Sequence, residues 1–455
     1  MSVVISAVST PFGKGGIAVI RVSGEGAVEI CSKMFKPANG LTLTQLGNNK
    51  AVYGRILDAC DGMEIDDGMA TVFRAPFSFT SEDTVEISCH GGILLTQKVL
   101  RATYLCGAVP AKAGEFTQRA FMNGKLSLSE AEAVIDLIDA ENTEQLKLAH
   151  SRVKGVLAKR IDELRELLVA LVSSVYVFVD YPEEDLSDVS IETALAETEK
   201  MLLEVDKLIS TYETGKTISE GVSAVICGKP NTGKSSLLNA LSESERAIVT
   251  SVAGTTRDTI EEKVNIGRLT LKLCDTAGIH DTEDEVERLG IERSVARMKE
   301  AQLILCVLDA SSMLDDEDRR VLSSCESDHT VIVLNKCDLG SVIDKNELCG
   351  FENIVEISAM RGDGIAELRA VIESLFLSGE IDYNSAIISN ERQFAALCRA
   401  RDSIINARDA LLGGYTPDVA SMELELALAH LGEIDSRKAS EEVVNAIFSR
   451  FCIGK

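Results

Sequence analysis

No two cysteines in this 455-residue chain show C-x-x-C spacing, and its 5 histidines do not fall near cysteines at zinc-ligand intervals. The 12 cysteines are scattered singly from Cys31 to Cys452. That pattern excludes a disulfide framework and fits a reducing cytoplasm. The start of the chain lacks a basic region followed by an apolar one, so no secretory signal is expected. Long apolar runs are also missing. The longest, Leu167 to Val179, is interrupted by Ser173 and Ser174. It falls short of the roughly 20 residues a bilayer needs, so a buried helix is expected and no membrane association. There are no repeats of solenoid period and no low-complexity segments. Positive charge is scarce: 46 Lys and Arg face 72 Asp and Glu, a net charge of −26. This excludes a broad nucleic-acid-coating surface but not a local site.

What is present points to several folded domains. Apolar residues make up 45% of the chain, which rules out global disorder. Residues 1–120 are neutral, with 11 basic and 11 acidic side chains, whereas the remainder carries the whole acidic excess. In the neutral segment Ile17–Val22 and Thr84–Ser88 read as strands, with Val85 and Ile87 facing one way and Glu86 the other. Gly91-Gly92 opens a helical segment that runs through Leu105. An α+β domain over 1–120 is expected. From Ser127 the period becomes helical. Ser129 and Glu132 are spaced as a capping box, and Ala133, Ile135, Leu137 and Ile138 supply an apolar side. A helix through Ile161, Leu164, Leu167, Leu168 and Leu171 is expected to stop before Pro182, and a single helix to cover about 190–213.

At Gly221 the pattern changes again. Val222–Cys227, Leu269–Cys274, Leu303–Asp309, Val331–Asn335 and Ile354–Ile357 are short apolar runs with helical patterns between them. They predict a doubly wound, mostly parallel sheet over 221–378. Residues 389–450 return to acidic amphipathic helix.

Gly228–Ser235 matches the phosphate loop G-x-x-x-x-G-K-[ST], after an expected strand and before an expected helix. Gly233 and its neighbours let backbone N–H groups wrap phosphates, with the helix start at Ser236 adding positive potential. Lys234 is expected on the β- and γ-phosphates and Ser235 on Mg²⁺. Asp275-Thr276-Ala277-Gly278 follows a strand, where Asp275 can hold Mg²⁺ through water and Gly278 can offer its N–H to the γ-phosphate. Asn335-Lys336-Cys337-Asp338 follows another. A carboxylate there accepts from guanine N1–H and the 2-amino group, a donor pair adenine lacks, so Asp338 selects GTP. Ser358-Ala359-Met360 is expected to offer backbone N–H groups to the guanine carbonyl. Between the first two motifs lies Thr250-Ser251-Val252-Ala253-Gly254-Thr255-Thr256, with Thr256 the expected second hydroxyl on Mg²⁺. The block resembles the translation-factor-related P-loop GTPases.

One position departs from many small GTPases. The residue after D-x-x-G is Ile279, where a Gln would orient the attacking water. Hydrolysis needs another group. Asn231 resembles the asparagine of potassium-activated GTPases, in which K⁺ stands in for an arginine finger. Backbone oxygens among Thr250, Val252 and Thr255 would complete its cage.

Four further stretches carry a closer resemblance: Gly15–Gly24, Phe79–Gly92, Ala113–Leu126 and Phe451–Lys455, the last reading Cys-x-Gly-Lys at its end. With the GTPase motifs the chain resembles, over its whole length, the MnmE (TrmE) tRNA-modification GTPases. The resemblance implies a tetrahydrofolate-binding and dimerising domain at 1–120, a discontinuous helical domain at 121–220 and 379–455, and an inserted G domain at 221–378. It implies folate contacts at Arg21, Glu86, Lys125 and Lys455, a candidate reactive thiol at Cys452, and Glu287 as the water-positioning carboxylate. The cofactors implied are K⁺, Mg²⁺ and 5,10-methylene-tetrahydrofolate, with 5-formyl-tetrahydrofolate as an analogue. The implied activity is addition of a carboxymethylaminomethyl or aminomethyl group to C5 of a tRNA wobble uridine. The implied partners are a second copy, tRNA, and the FAD protein MnmG (GidA) in a heterotetramer or larger complex. G-domain pairing would be relayed through the helical domain. Two other readings stay open at this point: a ribosome-assembly GTPase switch and a folate-sensing regulator.

Overall fold

Alternation decides the first sheet. In β2 (Ile17–Ser23) Ala18, Ile20 and Val22 are buried; in β6 (Thr84–His90) Val85, Ile87 and Cys89 are. The computed structural model describes residues 3–180, 191–243, 262–273, 298–325, 327–377, 379–435 and 441–454. It divides into two compact units, one of residues 1–138, 152–201 and 399–455, the other of 139–151 and 202–398. The described strands before residue 120 are β1 (Ile5–Val8), β2, β3 (Phe35–Pro37), β4 (Lys50–Leu57), β5 (Glu64–Phe73), β6 and β7 (Val109–Pro110). The helices among them are α1 (Ala27–Met34), α2 (Ile93–Cys106) and α3 (Glu115–Met122). Then follow α4 (Leu128–Asp139), α5 (Thr143–Val153), α6 (Val156–Asp180), α7 (Ile191–Ile209) and α8 (Tyr212–Glu220).

The first unit carries a sheet of order β3-β4-β5-β6-β2-β1-β7, antiparallel except for the β1–β7 pair. Helices α1 and α2 bury Val28, Cys31, Met34, Val99 and Ala102 against its apolar side. Glu86 faces away from that core, as the alternation requires, and its register partner is Arg21. In the same unit α6 buries Leu157, Ile161, Leu164, Leu168 and Leu171 at helical spacing. Its opposite side leaves Leu167, Val169 and Tyr176 exposed, so only one side of the long apolar run is interior. Ser173 and Ser174 fit there because their hydroxyls donate to the Val169 and Leu171 carbonyls. No described helix is long and apolar enough to cross a membrane.

Two helix expectations need correction. The cap of α4 is Ser127, not Ser129: Ser127 Oγ accepts from Glu130 N–H at 3.2 Å, and Ser127 N–H donates to Glu130 at 2.7 Å. Ser129 lies inside the turn and donates to Asp435 at 2.7 Å, while Ile138 at the far end is exposed. The single helix expected over 190–213 is two, α7 and α8. The Ser210 and Thr211 hydroxyls bond back to the Lys207 and Leu208 carbonyls, and Thr211 Oγ1 also accepts from Ile388 N–H. A side chain competing for main-chain partners ends a helix at that point.

The second unit holds β8 (Val222–Cys227), α9 (Lys234–Glu243), β9 (Glu262–Ile266), β10 (Leu269–Leu273), β11 (Leu303–Asp309), α10 (Asp316–Ser323), β12 (Thr330–Asn335), β13 (Asn353–Glu356) and α11 (Ile365–Phe376). The sheet order is β13-β12-β11-β8-β10-β9. All pairs are parallel except the β9–β10 hairpin. Residues 303–308 and the whole of β12 are buried along both faces, which is why they read as continuous apolar runs. Leu237, Leu241, Leu368 and Ile372 cover one side, and Leu314, Ile343 and Leu348 the other. The remaining helices are α12 (Glu391–Leu412), α13 (Pro417–Asp435) and α14 (Glu441–Phe448). In α13, Leu424, Ala427, Leu431 and Ile434 are buried, and Glu425 accepts from Tyr176 of α6 at 2.7 Å.

Candidate functional site

The parallel sheet brings three of the sequence motifs to the C-terminal ends of its strands. The phosphate loop leaves β8 at Gly228 and enters α9 at Lys234. Gly228 has φ +140°, and a Cβ there would lie 2.3 Å from the Val307 carbonyl oxygen. Gly233 has φ +95°, and its Cβ would meet Asn335 Nδ2 at 2.2 Å. Only glycine serves at either place. Asn231 takes the left-handed region at φ 64°, which asparagine tolerates. Thr232 is buried and its hydroxyl donates to the Lys229 carbonyl at 3.0 Å. Lys234 Nζ donates to the Gly228 and Lys229 carbonyls at 2.9 and 2.8 Å, so the ammonium is already folded over the loop. Ser235 and Ser236 are exposed in the first turn of α9.

Asn335 and Lys336 act as struts between this loop and the base-side segments. Asn335 Nδ2 donates to the Thr232 carbonyl at 2.8 Å, and its Oδ1 accepts from Ala359 N–H at 3.0 Å. Lys336 Nζ reaches the Asn231 carbonyl at 2.7 Å and Asp309 at 2.6 Å. Burial pushes the Asp309 carboxyl up, but the bonds from Lys336 and Ser311 outweigh it and hold the group below its ordinary range. Asp338 is oriented by Ser358 Oγ, which donates to Oδ1 at 2.8 Å, and by Arg361 Nε at 3.5 Å. The Ser358 N–H is already used on the Asp363 carbonyl. The Ala359 N–H donates to Asn335, and Met360 is exposed.

In the first unit Arg21 and Glu86 meet at 2.9 Å, with Arg21 only 15% exposed at its side chain. The guanidinium lies over the Phe79 and Phe116 rings, 5.2 and 5.6 Å from their centroids. Lys125 Nζ donates to the Ser78 carbonyl. The C-terminal residues join the same unit: Ile453 bridges to Ala113, and Ser9 Oγ donates to the Gly454 carbonyl at 3.0 Å. Gly454 has φ +103°, and a Cβ would lie 2.0 Å from the Val8 carbonyl oxygen. This explains glycine in the terminal motif. Cys452 is exposed.

Residues 128–452 match the family model described as MnmE helical domain, and residues 4–125 match that described as GTP-binding protein TrmE N-terminus. This chain belongs to the MnmE family. It is 41% identical over 456 residues to the tRNA modification GTPase MnmE of Carboxydothermus hydrogenoformans, covering 99% of each chain. It is 40% identical over 454 residues to that of Lactobacillus johnsonii, covering 99% of this chain and 98% of the relative.

Of the residues expected in the MnmE-type sites, Thr250, Ser251, Val252, Ala253, Gly254, Thr255 and Thr256 lie outside the described residues, as do Asp275, Thr276, Ala277, Gly278, Glu287 and Lys455. Several residues that the motifs did not single out also shape the second unit. Lys229 Nζ pairs with Asp315 at 2.8 Å and with the buried Asp318 at 2.7 Å. Asp315 also caps α10, accepting from Glu317 and Asp318 N–H. The Lys229 hydrogen bond, then the Asp318 N–H, lowers the Asp315 carboxyl to about 2. Its folded value is below its unfolded value, so this stabilisation is present above about pH 4 and is lost as pH falls toward 2. Lys229→Ala leaves Asp318 buried without its cation. We expect a loss of about 3 kcal/mol from the second unit, read as a lower urea midpoint for the GTP-protected transition, and a flatter acid limb. The phenylalanines at 79 and 116 sit within the family stretches, and that membership was the available signal.

Proposed function

We propose that this chain is a potassium-activated GTPase that acts with MnmG on tRNA, adding a carboxymethylaminomethyl or aminomethyl group at C5 of the wobble uridine. The supporting observation is the gathering of Gly228–Ser235, Asn335–Asp338 and Ser358–Met360 at neighbouring strand ends, within a chain of the MnmE family. The phosphate loop and Lys234 hold the β- and γ-phosphates, and Asp338 reads the guanine edge. Glu287 orients the attacking water where Ile279 cannot.

Ser235 fits Mg²⁺ by chemistry and place, as an exposed hydroxyl in the first turn after the phosphate loop; Thr256 is its proposed companion. Asn231 fits K⁺, with an exposed neutral amide oxygen held at φ 64° beside the loop. Thr250, Val252 and Thr255 are its proposed companions. These cations supply positive charge where the phosphate oxygens gain negative charge. The folate residues fit by type: Arg21 suits a glutamate carboxylate, and half-buried Glu86 suits the amidine edge of a pterin. The ligand would replace their mutual ion pair, with Lys125, Lys455 and the Phe79 and Phe116 rings alongside. Methylene-tetrahydrofolate supplies a one-carbon unit to the uridine. Cys452 is held in reserve as a reactive thiol.

We further propose a cytoplasmic homodimer. Because the acidic excess disfavours phosphate contact, tRNA affinity should be weak and salt-sensitive for this chain alone and higher with MnmG. GTP hydrolysis measured in K⁺ and in Na⁺ tests the nucleotide half. We expect it to be roughly 10-fold or more slower in Na⁺. Equal rates would remove potassium from the account. Binding of labelled 5-formyl-tetrahydrofolate, lost in Arg21→Ala with GTP binding retained, tests the other half. Unchanged folate binding in that variant would contradict it.

A further inference from the structure

The second unit contains three thiols that the nucleotide chemistry does not use. Cys227 is the last residue of β8, directly before Gly228. Cys306 is its register partner on β11. Register partners on parallel strands present their side chains to the same face. Cys325 follows α10 and closes over that face. The three sulfur atoms all lie within 4.8 Å of one another. Cys227 and Cys306 are buried, and Cys325 is partly exposed. Their surroundings are apolar, including Val225, Ile304, Leu308 and Ile332.

Among the described residues, the His, Cys, Asp and Glu donors gathered here are all sulfur. A tetrahedral thiolate site has bonds of about 2.3 Å and therefore sulfur separations near 3.8 Å. A disulfide would use two sulfurs at about 2.05 Å and strand the third. Convergence of all three favours an ion. Mg²⁺ and K⁺ prefer oxygen donors, whereas thiolates select soft cations. We propose that Cys227, Cys306 and Cys325 form a binding site for a soft, thiophilic d¹⁰ cation of the zinc or copper(I) class, with a fourth position open on the Cys325 side. Each ligating thiol passes its proton to solvent as it binds, and no electron is transferred.

The cluster also has a natural first anchor. Cys325 is the partly exposed member of the three, the one solvent reaches first. Occupancy would tie together the strand end that launches the phosphate loop, the strand carrying Asp309, and the segment after the helix that holds Lys229. The ion would thus brace the nucleotide site from behind without touching nucleotide.

The test uses the full, reduced chain and Cd²⁺, whose thiolate complexes absorb in the ultraviolet. We expect about one equivalent to bind, displaced by Zn²⁺ and by Cu⁺ but not by Mg²⁺. Cys325→Ser should weaken binding roughly 100-fold, as should Cys306→Ser. Removing the exposed Cys60 and Cys349 together should leave it unchanged. GTP binding by every variant checks that it is folded, and the partly exposed Cys325 keeps the test valid if Cys306→Ser does not fold. Three results would overturn the proposal: no thiolate absorbance, unchanged affinity in Cys325→Ser, or loss of two of these thiols to a disulfide in place of metal uptake.

Discussion

Asp338→Asn lowers GTP affinity by about a thousandfold and raises affinity for xanthosine triphosphate. The size follows from the bonds exchanged. A carboxylate accepting from guanine N1–H and the 2-amino group makes two charge-assisted hydrogen bonds, each worth about 1.5–3 kcal/mol. Replacing one acceptor oxygen with an amide donor loses one bond, strips the other of its charge assistance and sets donor against donor, about 4 kcal/mol in total. Xanthine carries a carbonyl where guanine carries the amine, so the new donor finds an acceptor. The structure makes the effect specific, because Ser358 and Arg361 fix the orientation of the residue 338 side chain before any nucleotide arrives. Equilibrium titration of the variant with both nucleotides checks this. GTP affinity near that of the unsubstituted chain would place guanine recognition elsewhere.

Glu287→Ala lowers the single-turnover rate of GTP hydrolysis by roughly 10²–10⁴ and leaves GTP affinity nearly unchanged. The argument starts from a deficit. Ile279 stands where a water-orienting Gln would be, and an aliphatic side chain offers no hydrogen bond. In the function proposed above, the carboxylate of Glu287 farther along the same segment restores that role. Because it acts on the water and not on the ground-state nucleotide, its removal separates rate from binding. Rates measured in K⁺ decide it. Near-normal hydrolysis in Glu287→Ala would assign the water to another group.

Local signals and tertiary ones divide clearly in this chain. The strand run Leu303–Asp309 was legible because residues 303–308 are buried on both faces and are all apolar. The phosphate loop was legible because its backbone requires glycine at 228 and 233 whatever surrounds it. The break between α7 and α8 was not, because it depends on Thr211 also accepting a bond from Ile388, far along the chain. The Arg21–Glu86 pair depends on the β2–β6 register, which alternation alone does not reveal. Motif spacing likewise placed Asn335 and Lys336 near GTP without showing that their side chains brace Thr232 and Asn231. Lys229 stands at an unspecified position of the loop motif, and only the packing of α10 gives it two carboxylate partners. The three clustered thiols looked scattered for the same reason.

The central claim is that this nucleotide site serves chemistry on tRNA. It is tested most directly by nucleoside analysis of tRNA from cells that lack the chain, complemented with either the unsubstituted protein or Asp338→Asn. The account predicts that carboxymethylaminomethyl- and aminomethyluridine disappear on deletion, return with the unsubstituted protein, and do not return with the variant. Unchanged wobble-uridine modification in the deletion would contradict it.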